Sequence, residues 1–169
     1  MKKLTFNFYN GRNPDASKIH KIILARSDPY THVELVDVTG QSFSSELGIG
    51  PRFKNITYKH PERWHKIVLR VSNTEYDRIW YRADVLVALQ KAGKLKYDNR
   101  GILGAICSGK HTVWAYFCSE AIYSVVSPEI ALPELNYRMW PQTLCEVIEI
   151  IAELRATTPT ALEQLLQES

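Results

Sequence analysis

Residues 4–9, Leu4-Thr5-Phe6-Asn7-Phe8-Tyr9, alternate apolar and polar and run into Asn10-Gly11. A period of two that ends on a turn dipeptide predicts a half-buried strand. After Pro14-Asp15-Ala16-Ser17 the period changes. Ile19, Ile22 and Ile23 fall on one side of a short helix over 18–24, with His20 on its solvated side, and Ser27-Asp28-Pro29 breaks it. Residues 31–38 are rich in β-branched side chains and predict a second strand. Alternation places His32, Glu34 and Val36 on one face of it and Val33, Leu35 and Asp37 on the other. Thr39-Gly40 turns the chain so that 41–46 pairs back as a hairpin arm. Residues 52–58 and 64–71 supply further strands.

Helical spacing dominates the second half. Ser72-Asn73-Thr74-Glu75 starts a helix over 74–92, with Ile79, Trp80, Ala83, Leu86 and Val87 as its apolar stripe and Gly93 as its end. Residues 99–106, with Gly101 and Gly104, read as a short helix or turn. Apolar residues at 121, 122, 125 and 126 predict a helix that begins at Cys118 and is closed by Pro128. A further amphipathic helix covers 143–154, and Thr158-Pro159-Thr160 sets off a last segment, 161–167. The expected architecture is α+β, an antiparallel sheet carrying His32 packed against helices. The expected organisation is one domain over 1–157 and a helical tail over 158–169.

The placement of Cys118 gives the pattern chemical content. Ser119 and Glu120 occupy the first turn, where a hydroxyl and a carboxylate suit the free N–H groups and the helix dipole. A cysteine at a helix N-terminus has its thiolate, the nucleophilic form, favoured. A nucleophile of this kind needs a base, and the base needs an orienting polar group. His32 on a strand supplies the base. Glu46, on the neighbouring hairpin arm, is the first candidate to orient the imidazole, and Glu34, on the same strand face, is the second. Tyr30, Trp114, Tyr116 and the Tyr137-Arg138-Met139-Trp140 loop are candidates to wall a cleft, and Arg52 or Arg138 to meet a substrate carboxylate. The competing reading of Cys118 is a buried cysteine that packs as a small hydrophobe.

Composition narrows the partners. Of 169 residues, 21 are Lys or Arg and 18 are Asp or Glu, a net charge of +3 spread along the chain, which leaves no electrostatic footprint for nucleic acid. No apolar run reaches the length of a membrane span, and the Lys-rich start lacks the apolar core of a signal peptide, so the expected location is the cytoplasm. Cys107, Cys118 and Cys145 form no disulfide framework, and Cys107 and Cys145 read as structural. Cys107 and His111 have one loosely ligand-like spacing with no second pair to complete it, and His60 and His65 read as surface residues, so neither a metal nor a cofactor is expected.

Three segments together resemble the permuted papain-like hydrolases of the NlpC type: Thr31-His32-Val33-Glu34-Leu35-Val36, Tyr97-Asp98-Asn99-Arg100-Gly101-Ile102-Leu103-Gly104, and Phe117-Cys118-Ser119-Glu120. The order of histidine, polar residue and cysteine is that of the circularly permuted group, which the lecithin–retinol acyltransferase-like proteins share. The resemblance runs from about residue 30 to 126. It implies a papain-like fold with Cys118 as nucleophile, His32 as general base and Glu46 as the third residue on the following strand. It also implies cleavage of an amide bond, in a peptide, a peptidoglycan-type or a lipid-linked substrate, through a thioester acyl-enzyme. Two alternatives remain beside it. One is a lipid acyltransferase or thioesterase, and the other is a binding protein that keeps the scaffold without the activity. Substrate identity and oligomeric state stay open at this point.

Overall fold

The computed structural model describes residues 1–13, 17–58, 60–95, 117–133 and 139–167, with side chains to 157. Five strands form one antiparallel sheet: β1 (Lys2–Asn10), β2 (Tyr30–Val36), β3 (Gln41–Glu46), β4 (Gly50–Asn55) and β5 (Trp64–Val71). Their order is β4-β3-β2-β1-β5. The helices are α1 (Lys18–Leu24), α2 (Asn73–Lys91), α3 (Cys118–Ile130) and α4 (Pro141–Gln167). The chain is thus α+β, as its periodicity predicts.

The alternating residues of β1, β2 and β5 sort into an apolar face and a polar one. Leu4, Phe6, Phe8, Val33, Leu35, Ile67 and Leu69 point into the core. There they meet Ile79 and Ala83 of α2, Ala121, Ile122, Val125 and Val126 of α3, and Leu144 and Ile148 of α4. Asn7, Tyr9, His32, Glu34 and Trp64 take the other face, since Asn7 pairs with Glu34 and Tyr9 with both His32 and Trp64.

Helix ends follow local chemistry. Ser72 caps α2 in a reciprocal box, its Oγ accepting from Glu75 N at 3.1 Å while a Glu75 carboxylate oxygen accepts from Ser72 N at 2.6 Å. Gly93, just past the end, has φ 72°, a conformation that favours glycine. Pro128 does not close α3, which runs on to Ile130 and ends at Ala131 in the left-handed region. Lying near the end, Pro128 forfeits one backbone bond, and burial of Val125, Val126 and Ile130 carries the helix past it. Nor do residues 158–160 divide α4, which is continuous through them, so the expected tail prolongs that helix. The fourth strand starts earlier than its pattern suggests, at Gly50-Pro51, and stops at Asn55. Proline is tolerated there because β4 is an edge strand. No helix among the described residues is long and apolar enough to cross a membrane.

Two irregularities shape the polar face. First, Tyr9 pairs with His32 while Asn10 pairs with Tyr30, so Thr31 is the extra residue of a bulge. Second, β2 and β3 pair only at Leu35–Phe43 and Val36–Ser42, with Ser44 Oγ donating to the Val33 carbonyl at 2.7 Å beyond them. A Cβ added to Gly11 would meet Thr31 Cγ2 at 2.3 Å, so the bulge needs glycine opposite it. Gly11→Ala is therefore expected to displace the bulge and, with it, His32. The chemical shifts of the His32 ring are expected to change more than those of His60, which lies outside the sheet.

Candidate functional site

Cys118 is the first residue of α3, and its sulfur lies within hydrogen-bonding reach of the His32 ring. The two residues are 86 positions apart in the chain. They meet because the sheet ladder between β2 and β3 is not continued toward His32, while α3 packs across both strands. Cys118 is buried, only 3% exposed, and His32 is partly exposed. Beyond Phe117, the Ser119 hydroxyl donates to the Met139 carbonyl, and Glu120 accepts from the Phe117 N–H at 3.4 Å, which fix the first turn of α3.

Of the two glutamates, the structure brings Glu34 to His32. Its Oε1 is 3.4 Å from His32 Nε2. Glu46 instead accepts from Arg52 Nε at 2.6 Å and is half-exposed. The preference for Glu46 is thus reversed by geometry: a residue two places along a strand shares the histidine's face, whereas Glu46 lies on β3 where that strand has left the ladder with β2.

Glu34 is wholly buried, and its charge is shared among several donors. Lys54 Nζ lies 2.8 Å from Oε1, Arg52 Nη2 lies 3.5 Å from the same oxygen, and the Tyr58 hydroxyl donates to Oε2 at 3.0 Å. Asn7 Nδ2 in turn donates to Tyr58 at 2.8 Å. A buried carboxylate is tolerated only with such partners. Burial pushes the Glu34 carboxyl upward. The His32 hydrogen bond and charge, followed by Lys54, outweigh it and hold the group well below the usual carboxylate range. Burial likewise pulls His32 down, but the Cys118 sulfur and then the Glu34 carboxylate overcome it and raise the ring to about 9. Burial and the Glu34 charge push the Tyr58 phenol up. Cys145 provides a contrast. Burial, Glu149 and Glu146 push its thiol up to about 12.

A cleft of about 340 Å³ opens on this polar face. Its wall includes His32, Glu34, Arg52, Lys54, Tyr9 and Trp64. Trp64 stands edge-on to His32, with ring centroids 6.2 Å apart, and stacks on Tyr58 at 4.2 Å. His20 also lines the cleft, part-buried rather than fully solvated on its helix. Burial and then the nearby His32 lower its pKa. Tyr30 is not among the wall residues. The bulge at Thr31 turns it to the opposite face, where its ring packs on Phe8 and stacks on His65. Trp114, Tyr116, Tyr137, Arg138, Cys107 and His111, and the segment 97–104, lie outside the described residues.

The supporting set of Tyr58, Lys54 and Asn7 escaped sequence reasoning. Alternation along Arg52-Phe53-Lys54 carries a signal that two cations share one face, but nothing local shows which carboxylate they face. A thiol, an imidazole and a carboxylate brought together form an arrangement able to generate a nucleophile and return its proton. Comparison of the chain with protein-family models, curated proteins and solved structures finds no match.

The linkage has a definite sign. The raised His32 contributes stability that is fully present below its ordinary value of 6.5 and lost as pH rises through about 9. The lowered Glu34 contributes stability that is present above its ordinary value of 4.5 and lost on acidification. Glu34→Gln is expected to lower the His32 midpoint, read from the ring proton shifts across pH. Glu46→Gln is expected to leave it close to about 9.

Proposed function

We propose that the protein is a cysteine hydrolase that cleaves an amide bond, with Cys118 as nucleophile, His32 as general base and acid, and Glu34 as the group that orients and charges the imidazole. The reading extends to a permuted papain-like catalytic domain of the NlpC type, related to the lecithin–retinol acyltransferase-like group. One observation carries it: the Cys118 sulfur, at the first position of a helix, meets the His32 ring, whose Nε2 faces a buried carboxylate.

In this mechanism the Cys118 proton passes to His32. The thiolate then attacks the carbonyl carbon to give a tetrahedral oxyanion, toward which the free backbone N–H of Cys118 can donate. The C–N bond breaks, the amine leaves with the proton from His32, and a thioester remains on Cys118. Water, deprotonated by His32, attacks the thioester, releases the acid and restores the thiol. Glu34 stabilises the imidazolium and holds its tautomer. The aromatic walls Tyr9 and Trp64, with Arg52 and Lys54 beside them, suit a substrate with both an apolar part and an anionic group, such as a peptide carboxylate.

The burial of Cys118 favours a second reading, a binding protein on the same scaffold, and one experiment separates the two. Alkylation of each cysteine by iodoacetamide at neutral pH is followed by mass spectrometry in wild type, His32→Ala and Glu34→Gln. Cys118 is expected to react well ahead of Cys145, and His32→Ala is expected to slow it by about 10²-fold, the scale of a general-base contribution. Cys118 reacting no faster than Cys145, or equally in wild type and His32→Ala, sides with the binding protein. The same His32→Ala change is expected to abolish turnover in a panel of peptide and peptidoglycan-type amides, measured as amine release.

A further inference from the structure

A second cluster of titratable side chains lies away from the cleft, where α4 crosses β5. Cys145 and Glu149 are four residues apart on α4, so they lie on one face, one turn above the other. His65 faces them from β5. One ligand atom from each of the three falls within 4.8 Å of the others, and His65 Nε2 is 2.9 Å from Glu149 Oε1. The surroundings differ for each member. Cys145 is 1% exposed, while His65 and Glu149 are part open to solvent. Tyr30 stacks on His65 with ring centroids 5.7 Å apart and planes at 17°, which holds the imidazole in position.

We propose that His65, Cys145 and Glu149 form a three-ligand site for a divalent zinc ion, with a solvent molecule as the fourth ligand. The donor set of an imidazole nitrogen, a thiolate and a carboxylate oxygen is one that zinc accepts and that magnesium or calcium, which take oxygen ligands, do not. Zinc–ligand lengths of about 2.0–2.3 Å place the donors of a tetrahedral site roughly 3.3–3.8 Å apart. Closing from 4.8 Å therefore asks for about an ångström of side-chain movement. Glu146, one residue along from Cys145, adds a second negative charge beside the site. The ligands stand on a strand and a helix rather than on loops, which keeps them in place. The open side of the cluster, at the half-exposed His65 and Glu149, gives the ion a way in.

Binding replaces protons. The thiol of Cys145 releases its proton to solvent as sulfur bonds the metal. His65 binds through Nε2 with its remaining proton on Nδ1, and its contact with Glu149 gives way to two bonds to the ion. The bound ion then ties α4 to β5 beside Tyr30, the residue two before His32, so the site braces the strand that carries the proposed base.

The test uses the full chain, stripped with a chelator and titrated with zinc, and separately with cobalt as a spectroscopic probe. One zinc per chain is expected, with a rise in the unfolding midpoint and, for cobalt, a thiolate-to-metal charge-transfer band. Loss of even an outer partner of a metal site costs about 10–100-fold in affinity, so His65→Gln and Glu149→Gln are each expected to weaken zinc binding by about 100-fold or more. Both positions are part exposed, so these variants keep the fold even where Cys145→Ser, at a buried position, does not. Cys118→Ser is expected to leave zinc affinity and the cobalt band unchanged. No uptake, uptake indifferent to His65→Gln and Glu149→Gln, or a cobalt band lost only in Cys118→Ser would each overturn the proposal.

Discussion

A negative charge placed inside a sheet organises this molecule. Glu34 is fully removed from water, and a carboxylate so placed costs several kcal/mol unless it is paired and hydrogen-bonded. The surrounding chain is arranged to meet that cost. Strand β4 brings Arg52 and Lys54 to the carboxylate, the segment after β4 leaves the sheet and returns Tyr58 to it, and Asn7 of β1 holds Tyr58 in turn. Three elements distant in sequence are thereby tied to one side chain of β2. The remaining direction is open to His32, where the carboxylate adds to the larger effect of the Cys118 sulfur in raising the imidazole above its ordinary range.

The same arrangement explains how a structural demand and a chemical one coincide. His32 and then Lys54 keep Glu34 ionised, and an ionised Glu34 in turn favours a cationic His32. The polar cluster is therefore both the means by which the sheet tolerates a buried carboxylate and an electrostatic support for a cationic His32. Removing one partner leaves a buried charge uncompensated, which is more damaging than removing the whole group. The two faces of the sheet divide the work. The apolar face makes the core with α2, α3 and α4, while the polar face carries the cleft.

The bulge at Thr31 sets the boundary between two clusters. It turns Tyr30 to the face of Phe8 and His65 and leaves His32 beside Tyr9 and Trp64. A regular strand would have put Tyr30 and His32 on one face, and Tyr30 would then have stood in the cleft. One extra residue thus separates the aromatic that backs the His65–Cys145–Glu149 group from the histidine that meets Cys118.

Local periodicity by itself determined the strands at 4–9 and 64–71, the hairpin through Thr39-Gly40, the helices at 18–24 and 74–92, and the start of a helix at Cys118. Each of these depends on side chains within one or two turns, or on a period of two, that short stretches of chain record directly. Pro128 and the 158–160 segment show where local signals stop, since the packing of a helix overrode one breaker and the other did not interrupt the backbone. Tertiary structure alone decided that Glu34 rather than Glu46 meets His32, that His20 lines the cleft, and that Tyr58 reaches a carboxylate 24 residues away. It alone brought His65 to Glu149 across 84 residues. The reason is physical: strand register, a bulge and the crossing of a helix over a sheet fix which faces meet, and those are sums over contacts between segments that no single segment contains.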